Sequence, residues 1–290
     1  CRTLCDFCPY CKVPYESERA NRYVENLLQE IRLVCTNHPK REVTSLYFGG
    51  GTPALLYQRL EEIIQELRRY FVITEGIGVE LHPSDVTIPV LQELRRAGVT
   101  KLSIGIQSFQ KKYQTLLGRS SVDYSAISAA LTKVPFETVS FDFIFALPGQ
   151  TISDLICDVD LAFQLGANQV ALYPFIDFSF TKSDVQAMKN PDKRKLLNEI
   201  TAYLAKNGCT RTSIWTFSNE KEACYSSMTR ENFLGFGCSA TTLLNGQFKI
   251  NTFSPEAYGN RISHGRLPTS LTLKFSKRQR MVYYLFWTAY

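Results

Sequence analysis

Histidine is scarce in this chain. The 290 residues include three histidines, His38, His82 and His264, and none of them stands at Cys-His spacing or in a hydrolase motif. A Cys-His zinc site takes its histidines from such a spacing, and a Ser-His-Asp or Cys-His hydrolase needs a histidine as its base. Neither a Cys-His zinc finger nor histidine-based hydrolysis is therefore indicated.

Long apolar runs and long basic runs are also missing. No segment approaches the ~20 apolar residues that span a bilayer, and no signal peptide opens the chain. The net charge of +6 comes from scattered lysines and arginines, which is typical of a solvated surface. We therefore predict no membrane and no nucleic-acid partner, although the charge suits an anionic substrate. We expect a cytoplasmic protein, and because residue 1 is a cysteine, we expect its natural N-terminus to lie upstream.

Cysteines are present but unevenly distributed: four of the nine fall within the first eleven residues. An odd, clustered set is unlike the disulfide framework of a small secreted protein, so metal binding in a reducing compartment fits better. Cys1, Cys5 and Cys8 form one tight loop. Three thiolates that hold an iron–sulfur cluster leave one iron open for an exchangeable ligand. Zinc binding with help from Cys11, and chance clustering of buried cysteines, are the alternatives.

Apolar periodicity alternates between helix and strand after the cysteines. A helix is predicted over 17–35, a strand over 43–48 and a helix over 55–70. Strands that alternate with helices predict right-handed crossovers and a parallel sheet. The other predicted strands span 77–81, 101–106, 139–146 and 169–173, and the other helices span 88–97, 110–133 and 153–166.

These elements predict an α/β fold, a partial parallel (β/α)6 TIM-like barrel with a small C-terminal α+β extension. Five strands are counted, and the first strand of a six-stranded barrel would have to precede Cys1. The unusual residues follow the C-terminal ends of the strands, where such barrels place their active sites. We divide the chain into a barrel over 1–176 and a C-terminal substrate-side or accessory region over 177–290. Within the latter we predict helices over 193–206 and 277–290 and a strand near 212–217.

A glycine-rich turn follows the strand predicted over 43–48. Gly49, Gly50 and Gly51 precede Thr52 and a proline. Consecutive glycines let the backbone approach a ligand closely, and their N–H groups can form a nest for a carboxylate. The turn is not a phosphate-binding loop, because the Gly-Lys-Ser or Gly-Lys-Thr ending is absent. By itself it is also compatible with a plain tight turn.

Together, the CxxxCxFC spacing from Cys1 to Cys8 and the GGGTP turn resemble the radical S-adenosylmethionine (SAM) superfamily. In that superfamily the methionine amino and carboxylate groups of SAM chelate the open iron of a 4Fe–4S cluster. Five further motifs, taken in order, look like the family of oxygen-independent coproporphyrinogen III oxidase and its relatives. They are VELHP at 79–83, LSIGIQSF at 102–109, LGR at 117–119, DFIFALPGQT at 142–151 and GFG at 235–237.

The resemblance implies a 4Fe–4S cluster bound by Cys1, Cys5 and Cys8, together with one or two SAM molecules. An acid can hold ribose hydroxyls and an arginine can hold a carboxylate bidentately, so the residue types suit the implied roles. The residues that match contacts of the first SAM are Phe7, Gly50, Gly51, Thr52, Glu80 and Thr241. The residues that match contacts of a second SAM in the oxidase are Gln107, Arg119 and Asp142.

Each of these side chains also has a structural interpretation. Glu80 or Asp142 could cap a helix, and Arg119 could pair with a surface acid. The chain departs from the oxidase pattern as well. Cys11 follows the third ligand by three residues rather than two, so we give it no role. The segment 173–178 lacks the polar sequence expected there, and because it should face the substrate, the identity of the substrate stays open.

The resemblance implies an oxidoreductase similar to coproporphyrinogen III oxidase, an enzyme of porphyrin biosynthesis. The cluster passes one electron to SAM, and the resulting 5′-deoxyadenosyl radical removes a hydrogen atom from the substrate. The implied partners are an anionic or aromatic small-molecule substrate and a flavodoxin- or ferredoxin-type electron donor. A class C radical SAM methyltransferase or cyclopropanase, and a haem chaperone of the same family, are the alternatives that the motifs leave open.

Overall fold

The computed structural model describes residues 1–120, 122–181, 183–220 and 232–289. No helix in these ranges is long and apolar enough to cross a membrane. The helices are α1 (Ser17–Cys35), α2 (Tyr57–Arg68), α3 (Ile88–Arg96), α4 (Lys111–Leu116), α5 (Tyr124–Lys133), α6 (Ile152–Gln164), α7 (Asn190–Lys206), α8 (Pro255–Ser263) and α9 (Lys277–Ala289). The strands are β1 (Arg41–Val43), β2 (Leu46–Phe48), β3 (Phe71–Ile73), β4 (Ile77–Leu81), β5 (Lys101–Gln107), β6 (Thr138–Phe145), β7 (Gln169–Pro174), β8 (Thr210–Arg211), β9 (Thr216–Ser218), β10 (Thr241–Leu244), β11 (Gln247–Asn251) and β12 (Thr269–Lys274).

The chain forms two compact units, and neither is one continuous stretch of the sequence. The predicted division into a barrel over 1–176 and a C-terminal region over 177–290 stays a prediction. The first unit comprises Cys1–Pro14, Ser45–Tyr57 and the described residues of 76–220, and the second comprises Tyr15–Thr44, Gln58–Glu75 and the described residues from 232 onward.

A seven-stranded sheet forms the centre of the first unit. Its strand order is β2-β4-β5-β6-β7-β9-β8, and the first five strands in this order pair in parallel. β9 pairs antiparallel with β7, and β8 pairs antiparallel with β9. The predicted α/β fold with five parallel strands is confirmed. Because the strands run in one direction, their C-terminal ends lie along one edge of the sheet.

One face of the parallel strands β4, β5 and β6 is apolar. Val79, Leu102 and Val139 lie opposite one another across β4, β5 and β6, and all three are buried. Parallel strands are usually covered on both faces and therefore consist of almost continuous apolar residues. The opposite face of β4, β5 and β6 departs from this pattern: it is polar and carries Glu80 and Asp142, so their carboxylates need partners inside the fold.

The strand predicted over 43–48 contains the end of one strand and the whole of the next: Val43 is the last residue of β1, and Leu46–Phe48 form β2. β1 pairs with β3, whereas β2 pairs with β4. The carbonyl of Thr44 still accepts from the N–H of Glu75 at 2.7 Å, and two residues later the N–H of Leu46 donates to the carbonyl of Gly76 at 3.2 Å. The prediction of one strand was wrong because an unbroken β-branched and aromatic run carries no local sign of a change of partner.

The second unit contains a buried carboxylate. Tyr23 of α1 packs against Tyr258 of α8, with ring centroids 5.5 Å apart. Glu30 of α1 accepts from the Tyr258 hydroxyl and the Gly237 N–H, both at 2.7 Å, and from the Asn251 amide at 2.9 Å. Burial raises the pKa of Glu30, and these three hydrogen bonds oppose the rise. One carboxylate thus ties the GFG segment, β11 and α8 to α1.

Candidate active site

Three predicted cofactor residues lie towards the C-terminal ends of neighbouring parallel strands. Glu80 is in β4, Gln107 ends β5 and Asp142 is in β6. Across the strands, Glu80 lies opposite Ser103 and Asp142 lies opposite Gly105. Parallel α/β folds bind their ligands at this edge, so the placement agrees with a cofactor site.

The cysteine loop contacts the glycine turn. The hydroxyl of Thr52 donates to the Sγ of Cys1 at 3.6 Å, and a Cβ added to Gly51 would lie 3.8 Å from the same sulfur. Gly50 and Gly51 have φ angles of 79° and 60°, which side chains with a Cβ rarely adopt. The turn therefore requires glycine for its backbone conformation, and it brings the predicted methionine contacts next to a predicted cluster ligand.

The three predicted iron ligands share one short loop. Cys5 is buried, Cys1 and Cys8 are half-buried, and the N–H of Cys8 donates to the carbonyl of Cys5 at 3.3 Å. The cysteines that the structure describes form no disulfide. In the described ranges, no three His, Cys, Asp or Glu side chains are arranged around a single metal ion. In a 4Fe–4S cluster each thiolate binds a different iron, so three soft thiolates in one loop fit the cluster.

Glu80 is held by two donors beside the glycine turn. The hydroxyl of Tyr47 donates to one carboxylate oxygen, and the N–H of Gly50 donates to the other at 3.0 Å. Burial raises the pKa of Glu80, and both hydrogen bonds oppose the rise. A Cβ added to Gly49 would lie 2.4 Å from the ring of Tyr47, so this position has no room for a side chain. Glu80 is thus a strand residue that faces the glycine turn and does not cap a helix.

Asp142 accepts hydrogen bonds from two serines. The hydroxyl of Ser103 donates to one carboxylate oxygen, and the hydroxyl of Ser140 donates to the other at 3.2 Å. Burial raises the pKa of Asp142 to about 7, and the nearby charge of Glu80 acts in the same direction, whereas the two serines oppose it. The carboxyl therefore titrates near neutral pH, and like Glu80 it lies within a strand and caps no helix.

Arg119 and Gln107 lie together beside Gly105. The guanidinium of Arg119 donates to the Gly105 carbonyl at 3.3 Å and lies over the ring of Phe7, 5.8 Å from its centroid. A Cβ added to Gly105 would lie 2.8 Å from the Gln107 amide nitrogen. The Nε of Arg119 is buried, and within the described residues no group hydrogen-bonds to it. An arginine with an unused donor beside an aromatic ring can bind a carboxylate of a ligand.

Several residues that complete this site were not predicted. Tyr47, Ser103 and Ser140 hold the two carboxylates, and the period of two along β6 could have indicated Ser140, because it shares a strand face with Asp142. His82 lies beside Arg119. Burial and the positive charges around it lower the pKa of His82 to about 4, so it is neutral at physiological pH.

Two further residues from the sequence analysis are Thr241 and Cys11. Thr241 belongs to the second compact unit, where it begins β10. Cys11 is exposed. The role predicted for Thr241 beside the first SAM stays a prediction.

The chain matches the model of the radical SAM superfamily over residues 1–162. It therefore belongs to the radical SAM superfamily, whose members use a 4Fe–4S cluster and SAM. Within the superfamily its relatives include proteins named heme chaperone HemW, oxygen-independent coproporphyrinogen III oxidase and anaerobilin synthase.

Three similar proteins illustrate this relationship. The chain is 27% identical to the heme chaperone HemW of Lactococcus lactis over 85% of its own length and 68% of that protein. It is 27% identical to the oxygen-independent coproporphyrinogen III oxidase of Cereibacter sphaeroides, covering 92% of this chain and 66% of that protein. The structure of the Escherichia coli coproporphyrinogen III oxidase HemN has the same fold, with a TM-score of 0.85 and 22% identity over 97% of this chain and 72% of that one. The chain thus spans about two thirds of these relatives.

Proposed function

We propose that the chain is a radical SAM oxidoreductase of the coproporphyrinogen III oxidase type, acting on a porphyrinogen or another aromatic, anionic substrate. One observation carries the proposal: the glycine turn contacts both the cysteine loop and a strand carboxylate. Thr52 bonds to Cys1, and Gly50 bonds to Glu80. These are the parts that would surround one SAM molecule at an open iron.

In this proposal each part of the chain has a separate task. Cys1, Cys5 and Cys8 hold the 4Fe–4S cluster, which when bound supplies the electron for reductive cleavage of SAM and so the hydrogen abstraction. The glycine turn offers backbone N–H groups to the methionine carboxylate, and Glu80 accepts from donors of the same molecule. A flavodoxin- or ferredoxin-type protein would deliver the electron.

Gln107, Arg119 and Asp142 would bind a second SAM. Arg119 has an unused buried donor, and Asp142 has a carboxylate that titrates near neutral pH. A guanidinium can bind a carboxylate and an ionised aspartate can accept from ribose hydroxyls, so the two ends of SAM have matching partners.

An aromatic loop after β7 supports an aromatic substrate. Phe178 and Phe180 have ring centroids 5.2 Å apart, and 70% of Phe180 is exposed. The loop begins at Phe175, which is buried in an apolar cluster against which Phe7 of the cysteine loop also packs. The carbonyl of Phe175 also accepts from the amine of Lys193 at 2.6 Å. Exposed aromatic rings on an anchored loop suit contact with the apolar faces of pyrrole rings.

A haem chaperone is the second candidate. The relatives from Lactococcus lactis and Bacillus subtilis are both named heme chaperone HemW, and they match 85% and 92% of this chain. A chaperone would use the same exposed aromatic rings to hold haem and would release no product from coproporphyrinogen.

Anaerobic turnover separates the two candidates. The chain is reconstituted with iron and sulfide and incubated with dithionite, SAM and coproporphyrinogen III, and 5′-deoxyadenosine and carbon dioxide are measured by mass spectrometry. We expect both products. Haem binding without carbon dioxide would replace the oxidase with the chaperone.

The Cys5→Ala variant is the control for the cluster. Because Cys5 is one of three ligands, the variant should lose both the brown colour of the cluster and all cleavage of SAM. Cleavage that persisted in this variant would show that the ligands have been assigned wrongly.

A further inference from the structure

A buried aspartate of α6 holds the loop that follows β5. Asp158 is 1% exposed. One of its carboxylate oxygens accepts from the hydroxyl of Ser108 at 2.7 Å, and the other accepts from the backbone N–H of Phe109 at 3.0 Å. Both donors come immediately after Gln107, the residue that ends β5. A buried carboxylate with two such bonds fixes the position of the backbone it binds.

Ser108 passes this restraint to the neighbouring residues. The backbone N–H of Gln110 donates to its hydroxyl oxygen at 3.1 Å, and the amide of Gln114 donates to its carbonyl at 3.0 Å. Ser108 and Gln114 are both buried, so these bonds are shielded from water. Asp158 therefore binds the loop directly at Ser108 and Phe109. Through Ser108 it is also linked to Gln110 and Gln114.

The restraint matters because Gln107 has an unfavourable backbone conformation. Its φ angle is 71°, a conformation that non-glycine residues seldom adopt. The pairing of β5 with β6 also shifts register between Gly105 and Gln107. Such a conformation persists only where the surrounding structure enforces it, and it is common at ligand sites. The bonds from Asp158 begin one residue after Gln107.

The same network reaches Arg119. The carbonyl of Gln114 accepts from the backbone N–H of Arg119 at 2.8 Å, while the amide of Gln114 binds the carbonyl of Ser108. Gln107 and Arg119 lie together beside Gly105, and the backbones of both are thus linked to the same buried hydrogen-bond network around Asp158. Burial raises the pKa of Asp158 to about 6, and the bonds from Ser108 and Phe109 oppose the rise. Burying this carboxyl costs desolvation free energy, which its hydrogen bonds offset.

We infer that Asp158 is a positioning residue for SAM: through Ser108 and Gln114 it sets the places of the Gln107 and Arg119 side chains that contact the cofactor. This inference rests on the proposed function, in which both side chains bind SAM. We assign Asp158 itself no contact with the cofactor, because it is 1% exposed, whereas Glu80 and Asp142 are half-buried.

Asp158→Ala and Asp158→Asn test the inference by equilibrium binding of SAM to the reconstituted chain, with Gln107→Ala as the reference for loss of a direct contact. We expect Asp158→Ala to weaken the same binding step as Gln107→Ala by roughly tenfold, the effect of losing charge-assisted hydrogen bonds. Asp158→Asn should restore most of the affinity, because an amide oxygen can accept from Phe109 and an amide N–H can donate to the Ser108 hydroxyl oxygen. The Michaelis constant for SAM should rise in Asp158→Ala with little change in kcat.

Asp160→Asn is the matched control on the same helix. Asp160 accepts from the hydroxyl of Tyr203 at 2.8 and 2.9 Å and takes no part in the loop, so the variant should bind SAM like the parent chain. If Asp158→Ala lost thermal stability but kept the affinity of the parent while Gln107→Ala lost it, the inference would fail and the proposed function would stand. A parent chain that binds no SAM would instead overturn the proposed function, and the inference with it.

Discussion

At the scale of single residues, Asp142 links protonation to both stability and binding. Its pKa is raised from 3.8 to about 7, chiefly by burial. Between these two values the folded chain keeps a proton that the unfolded chain has released, so stability falls as the pH rises through this window. We predict that Asp142→Asn removes the contribution of Asp142 to this loss of stability. The melting temperature of the reconstituted chain without SAM, measured from pH 5.5 to pH 8 so that the acid-labile cluster stays intact, should fall with rising pH for the parent chain and change less for the variant.

The same substitution should weaken cofactor binding. Only the ionised carboxylate accepts from two ribose hydroxyls at full strength, so Asp142→Asn is expected to lower the affinity for SAM by roughly tenfold at pH 8. A variant that kept full affinity would remove Asp142 from the cofactor site. A variant whose melts declined with pH as the parent's do would mean that Asp142 does not titrate near neutral pH.

At the scale of elements, the start of α6 connects the LPGQT motif to α4. Thr151 and Asp154 form a capping box, with bonds of 3.2 and 2.9 Å in the two directions. Asp154 also accepts from the hydroxyl of Tyr113 at 2.7 Å and from the amine of Lys112 at 2.9 Å. We predict that Thr151→Ala costs about 1 kcal/mol of unfolding free energy, the usual value of an N-cap.

Asp154→Ala should cost more than Thr151→Ala, because it removes the bond to α4 as well as the cap. Urea unfolding of both variants measures the difference. Equal losses would show that the bonds from Tyr113 and Lys112 contribute nothing to stability, as is common for exposed ion pairs.

The loop after β7 gives a prediction about substrate. Phe180 is 70% exposed, so Phe180→Ser should leave the melting temperature almost unchanged while weakening the binding of a porphyrin. Titration with protoporphyrin IX, followed by quenching of protein fluorescence, measures this. Phe253→Ser is the control, because Phe253 is 59% exposed and belongs to the second unit. Equal affinity in the two variants would exclude the loop as a porphyrin contact.

The elements also show what local sequence can predict. The strand over 77–81 and the helix over 17–35 have the predicted bounds, because each is a complete periodic pattern with its own ends. The strand over 43–48 was wrong in its extent, since it joins Val43, the last residue of β1, to β2, and these two strands pair with different partners. Pairing is a property of distant segments, so no local pattern could reveal it.

The candidate site follows the same rule. The residues that carry a family motif, such as Glu80 and Asp142, could be found from the sequence. The groups that hold them, such as Tyr47 and Ser103, lie 33 and 39 residues away along the chain and belong to no carboxylate-specific pattern. The pKa values of the two carboxylates depend on their burial and on these hydrogen-bond donors. The donors could be identified only from the folded structure.

At the scale of the whole molecule, each unit is assembled from separate stretches of chain, so its stability depends on contacts between those stretches. Glu30 is such a contact in the second unit, since its donors come from Gly237, Asn251 and Tyr258. Glu30→Ala would remove the acceptor of all three donors, and of these the Asn251 amide keeps another bond, to the Gly237 carbonyl at 2.9 Å. Because each unsatisfied donor costs about 1 to 3 kcal/mol, we predict a loss of roughly 2 kcal/mol or more in the stability of this unit.

Glu25→Ala is the matched control, because Glu25 lies on the same helix and pairs with Arg59 through an exposed carboxylate. Exposed pairs contribute at most about 1 kcal/mol, so the control should unfold almost like the parent chain. Hydrogen exchange gives the sharper measurement. In Glu30→Ala the amides of Gly237 and of α8 should exchange faster, while those of β4 to β6 in the first unit keep their protection. Unchanged protection at Gly237 would mean that the GFG segment is held by packing, and that the three hydrogen bonds to Glu30 merely accompany it.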